Sequence, residues 1–245
     1  MSILHLGIKI REKESNRINK EFYLRAKPEY MKGWSEADYA RQRLKAALNY
    51  DMNMQLFASL DKADFCDYIA IQCKKFKMTE CTDLRELDGV EGLYMLVLDE
   101  YKQVYIGISG DIKKRIQSHW NKQKSLERLI FGDILASVIS IDCFGALDTT
   151  RVFYIKSNTT AKLERKVVNA FDPLYTLNRT AGGIGMADSY TDTSRTATVA
   201  VIAHARKKVL TPYADVDLLK EAVLPPDFKY YLRKYPELKD KLKEK

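Results

Sequence analysis

The stretch GLYMLVLDEYKQVYIG, residues 92–107, constrains the fold more than any other part of this chain. Two short apolar runs, residues 93–98 and 104–108, flank the polar tetrapeptide Asp99, Glu100, Tyr101, Lys102. Runs of that length, rich in β-branched and aromatic residues and separated by a few turn formers, predict an antiparallel hairpin. A helix is predicted to follow at once. Ser109 and Asp111 offer capping oxygens, and Ile112, Ile116 and Trp120 recur four apart up to about residue 122.

Further along, SLERLIFGDILA (125–136) reads as a second helix, and SVISIDCF and TRVFYIK as two more β-rich runs. TTAKLERKVVNAF returns to helical spacing through Leu163, Val167 and Ala170, and Pro173 stops it. Alternating strands and helices of this size predict an α/β (α+β) domain, a small mixed or antiparallel sheet flanked by helices. Before it, residues 3–10 suggest one short strand. SEADYARQRLKAALNYDMNMQLFASL carries an N-cap at Ser35, with Tyr39, Leu44, Leu48, Met52 and Leu56 at helical spacing, and DFCDYIAIQCKKF is apolar without declaring its type. The Gly-, Ser- and Thr-rich stretch after Leu174 reads as a loop, and residues 196–245 as a helical tail broken by prolines. The expected organisation is a mostly helical extension over 1–88, a domain over 89–185, and a linker and helical tail over 186–245.

With 245 residues, 46% of them hydrophobic, the chain can bury a substantial core. Its formal charge of +8 is unevenly spread: residues 1–88 hold 16 basic against 14 acidic residues, whereas 102–128 hold 7 against 2. The excess sits on the hairpin and its sequel, which points to a polyanionic partner there. Four cysteines without a CxxC pair suggest reduced thiols rather than zinc or disulfides. With neither a signal-like segment nor a long apolar run, the expectation is a soluble cytoplasmic protein with no membrane partner.

Gly92-Leu93-Tyr94 on the first strand and Tyr105-Ile106-Gly107 on the second resemble the paired tripeptides of the GIY-YIG nuclease family, with Leu93 in place of the family's isoleucine. The later spacing strengthens the resemblance. Arg115 lies ten residues after Tyr105, His119 one helical turn further, Glu164 on a later helix and Asn178 fourteen residues beyond it. The similarity covers about residues 89–180. It implies a homing- or restriction-like endonuclease whose catalytic residues are Tyr94, Tyr105, Arg115, His119, Glu164 and Asn178, with Glu164 binding Mg²⁺ or Mn²⁺ and Tyr94 taking the proton from the attacking water.

These residue types suit the hydrolysis of an anionic phosphodiester, which requires a cation on the phosphate, a base for water and charge relief for the leaving alkoxide. Arg115 can grip phosphate oxygens with its planar fork, and one carboxylate suffices for Mg²⁺. A phenol with a pKa of about 10 is a weak base at neutral pH. Residue chemistry alone therefore leaves the roles of Tyr94, Tyr105 and His119 open. Lys113, Lys114, Lys122, Lys124 and Arg128 would give salt-sensitive contacts to double-stranded DNA, and cutting both strands would call for a homodimer or two sequential nicks. The alternative is a catalytically idle scaffold that binds DNA or a protein.

Overall fold

The computed structural model describes residues 1–25, 33–122, 138–158 and 161–178. It is an α+β fold. In chain order the elements are β1 (Ser2–His5), β2 (Ile8–Arg11), α1 (Lys20–Tyr23), α2 (Glu36–Ser59), α3 (Lys62–Phe76), β3 (Thr79–Cys81), β4 (Gly92–Leu98), β5 (Gln103–Ser109), α4 (Ile112–Asn121), β6 (Arg151–Lys156) and α5 (Ala161–Val168). The helix predicted over 125–136, the tail over 196–245, Lys124 and Arg128 lie outside the described residues.

Local chemistry explains the element boundaries. Ser35 begins α2 with a capping box, its hydroxyl accepting from Asp38 N while the Asp38 carboxylate accepts from Ser35 N. Asp61 and Asp111 cap α3 and α4 through the backbone N–H groups of Asp64 and Lys114. α3 stops where Lys77 takes a left-handed conformation. Thus the long apolar-periodic segment is one helix, and the undeclared DFCDYIAIQCKKF is a second.

The main sheet is antiparallel, in the order β3-β6-β4-β5. β4 is its central strand, buried along its whole length, which is why its sequence is continuously apolar. Its residues alternate between two cores. Leu93, Met95 and Val97 join Val104 and Ile106 of β5 against Phe65 and Ile69 of α3 and Val167 and Val168 of α5. Tyr94, Leu96 and Leu98 face the other way, with Met52, Leu56 and Phe57 of α2 and Ile112 and Ile116 of α4. α2 and α3 therefore cover opposite faces, and β3 adds a strand to the sheet. The boundary expected at residue 88 runs through shared cores.

Two strand expectations are corrected. Residues 3–10 are not one strand but the hairpin β1–β2, folded at Leu6 and Gly7, both with positive φ. SVISIDCF is not a strand: Ser140 caps a 3-10 turn over Ile141–Cys143, and Val138, Ile139, Ile141 and Phe144 are all buried against the α2/α4 core. Its apolar residues cover one face of the sheet rather than alternating within it.

Two further contacts fix the hairpin. The segment after α5 closes the outer edge of β5: Val104 N donates to Tyr175 O at 2.7 Å and Leu177 N to Val104 O at 2.8 Å. On the opposite flank the buried Asp148 carboxylate accepts from Ile18 N and Gly145 N, each at 2.7 Å, and from Tyr101 Oη at 3.1 Å. That carboxylate clasps the N-terminal segment to the β4–β5 turn.

Candidate active site

Antiparallel register sets the two tyrosines. Tyr94 lies opposite Gly107, and Tyr105 opposite Leu96, so both project on the α4 side as diagonal neighbours with ring centroids 6.3 Å apart. Gly107 is required by close approach, because a Cβ there would lie 2.6 Å from Tyr94 Oη. Gly92 meets a similar constraint against β6, where a Cβ would fall 2.1 Å from the Ile155 carbonyl oxygen.

α4 brings two more groups over this face. Ile112 and Ile116 anchor the helix in the core, which turns Arg115 and His119, one turn apart, towards the tyrosines. The positive charge of Arg115 bears on both phenols and works to lower their pKa values. His119 Nε2 lies 2.7 Å from Tyr94 Oη, and its ring meets Tyr105 edge-on at 5.1 Å. The other ring nitrogen, Nδ1, bonds the Asp142 carboxylate. Tyr94, His119 and Asp142 are buried, at 0%, 2% and 5% exposure, whereas Tyr105 and Arg115 reach solvent in part.

Glu164 stands on α5, which packs on β5, and it too is buried. Its charge bears on both tyrosines. Burial, then the neighbouring Tyr105, drives the Tyr94 phenol well above its ordinary pKa, with Arg115 opposing. Burial and the charge of Glu164 push Tyr105 up to about 12. His119 is lowered by burial, with Asp142 partly restoring it, so it is neutral at pH 7. Arg115 loses to burial but gains more from the two phenols and Asp142, and its pKa rises.

Comparison with protein-family models, with curated proteins and with solved structures found no match.

The geometry sorts the residues expected from the sequence. Tyr94, Tyr105, Arg115, His119 and Glu164 come together. Asn178 does a different job from that of a reacting group: its side-chain oxygen accepts from Ile106 N at 2.9 Å and its nitrogen donates to Ile106 O at 2.7 Å. It holds the backbone between Tyr105 and Gly107 and is a positioning residue. Of the basic cluster, Lys113 pairs with Asp88 at 3.0 Å and Lys114 with Asp111 at 2.9 Å, while Lys122 is exposed. Both lysine pairs are partly solvated and weak enough for a polyanion to displace.

Sequence reasoning missed Asp142, an acidic residue in an apolar run read as a strand. A lone carboxylate among Ile139, Ile141 and Phe144, all buried, was the available signal, since a buried charge requires a partner. Among the described residues no group of three or more His, Cys, Asp or Glu side chains is gathered to cage a metal. Nor is any of their helices long and apolar enough to cross a membrane.

Proposed function

We propose that this chain is a divalent-metal-dependent endonuclease of the GIY-YIG type that hydrolyses phosphodiester bonds of double-stranded DNA, in a restriction-like or mobile-element setting. The observation that carries this reading is the convergence of Tyr94, Tyr105, Arg115, His119 and Glu164, drawn from two strands and two helices, with His119 bonded to Tyr94 and the charge of Arg115 bearing on both phenols.

Arg115, partly open to solvent, binds the non-bridging phosphate oxygens and keeps its charge at every relevant pH. Tyr94 accepts the proton of the attacking water as its own phenolic proton passes to neutral His119. The water oxygen then bonds to phosphorus, the phosphorus–oxygen bond to the leaving alkoxide breaks, and solvent protonates that alkoxide. The relay avoids a free phenolate, which the raised pKa of Tyr94 makes costly. Glu164, a buried carboxylate whose charge bears on both phenols, presents the hard donors that Mg²⁺ or Mn²⁺ prefers, and a single carboxylate matches the way Mg²⁺ is commonly held. When bound, such an ion supplies positive charge to the phosphate and leaving oxygen. Lys113, Lys114 and Lys122 sit on or beside α4 and supply backbone contacts without reading sequence. A second copy of the chain would serve a double-strand cut.

A supercoiled-plasmid nicking assay in Mg²⁺ tests the reading. Wild type is expected to nick, Glu164→Ala to lose activity, and Arg115→Ala to lose on the order of 10²–10³-fold. Equal cleavage by wild type and Glu164→Ala would overturn it. DNA binding without cleavage by any variant would replace it with the idle-scaffold alternative.

A further inference from the structure

We infer that Asp142 is a positioning residue that holds the His119 imidazole with its proton on Nδ1, leaving Nε2 to accept from Tyr94. The inference rests on the relay given to His119 above and extends it by one residue outside the resemblance. An ionised carboxylate only accepts hydrogen bonds, so the ring nitrogen facing it must donate. His119 Nδ1 faces Asp142, and neutral imidazole carries one ring proton, so Nε2 is then the acceptor at 2.7 Å from Tyr94 Oη. Tyr94 Oη in turn donates to His119, with the Arg115 charge beside it. Each step in the chain has one direction only.

Burial makes Asp142 consequential. The groups facing His119 are Tyr94 on β4, Tyr105 on β5, Arg115 on α4, Lys122 just past its end, and Asp142 itself. Arg115 and Lys122 oppose a positive imidazole, and Asp142 is the anion against it. The 3-10 turn Ile141–Cys143, capped by Ser140, sets the carboxylate at the ring edge. Without it the imidazole has no fixed tautomer and no counter-ion when it takes the proton.

Nitrogen-15 NMR of the three histidines in the full chain reads this directly, with the His119 signals assigned by their loss in His119→Gln. Near pH 7 the wild type is expected to show Nδ1 protonated and Nε2 bare, and Asp142→Ala to mix the tautomers. A wild-type proton on Nε2, or an unchanged tautomer in Asp142→Ala, overturns the inference. In the nicking assay Asp142→Asn, nearly isosteric and so safest for folding, should lose between about 10-fold and 10⁴-fold in kcat with little change in KM. Asp142→Glu should recover part of it. The acid limb of the pH profile should move to lower pH in Asp142→Asn, because His119 loses the anion that raises its pKa; an unmoved limb with wild-type kcat counts against the inference. If the wild type cuts no DNA, the nuclease reading falls, and the tautomer measurement alone decides the role of Asp142.

Discussion

Gly107 is the residue on which the placement of Tyr94 most directly depends. A methyl group there would sit 2.6 Å from Tyr94 Oη and 2.7 Å from Cζ, and the full burial of Tyr94 leaves its ring no room to yield. Gly107→Ala is expected to cost about 1–3 kcal/mol of stability through overpacking. It should also shift the His119 ring signals in an NMR spectrum, since Tyr94 is pushed off Nε2; an unshifted His119 would contradict this. The role of Gly107 could be read in the tripeptide Tyr105-Ile106-Gly107 only as a pattern, because the obstacle that demands a glycine is a side chain on the opposite strand. Asp142 was less legible still. Its partner lies 23 residues away, and nothing in SVISIDCF marks which nitrogen of which histidine it meets.

At the level of elements, the β4–β5 hairpin, α4 and α5 were legible because their periodicity is local, and Asp111, the cap of α4, stands in sequence beside it. The β1–β2 hairpin was missed because its turn, Leu6-Gly7, has a leucine at positive φ, where glycine or asparagine is the usual cue. The segment around Ile141 was misread because an apolar run buried as a cover looks like a buried strand. Closure of β5 by residues 174–178 is a tertiary event that no window of sequence contains. Asn178→Ala tests its worth. With the Ile106 N–H and C=O both deprived of a buried partner, the domain should lose about 1–3 kcal/mol in a urea titration. Hydrogen exchange at Ile106 should quicken, and unchanged exchange there would show that the side chain is dispensable.

For the whole molecule, the Asp148 clasp makes stability depend on pH in an unusual direction. Burial raises its pKa from 3.8 to about 6, with the bonds from Gly145, Ile18 and Tyr101 opposing. A folded pKa above the unfolded one means that the folded state binds the extra proton. The stabilisation is therefore complete below about pH 3.8 and is lost as pH rises through about 6. Asp99 works the other way: despite burial, its bond to Arg151 lowers its pKa, so its contribution is lost on acidification. The difference between wild type and Asp148→Asn isolates the clasp. From pH 7 to pH 4 the wild type should gain on the order of 1–3 kcal/mol relative to that variant, measured by denaturant unfolding across the range. Parallel pH curves for the two proteins would refute the assignment.

The site is divided along the chain as well as in space. Tyr94, Tyr105, Arg115 and His119 fall within one continuous stretch, whereas Asp142, Glu164 and Asn178 join it from later segments, the last across 72 residues to Ile106. A chain made from its N-terminus therefore completes its tyrosine-bearing hairpin and helix before the carboxylates that pack beside them exist. Until residues 161–178 emerge and close over β5, two tyrosines and an arginine stand assembled with no Glu164 beside them. In time, as along the chain, the acidic half of the site is the last to join the packed half.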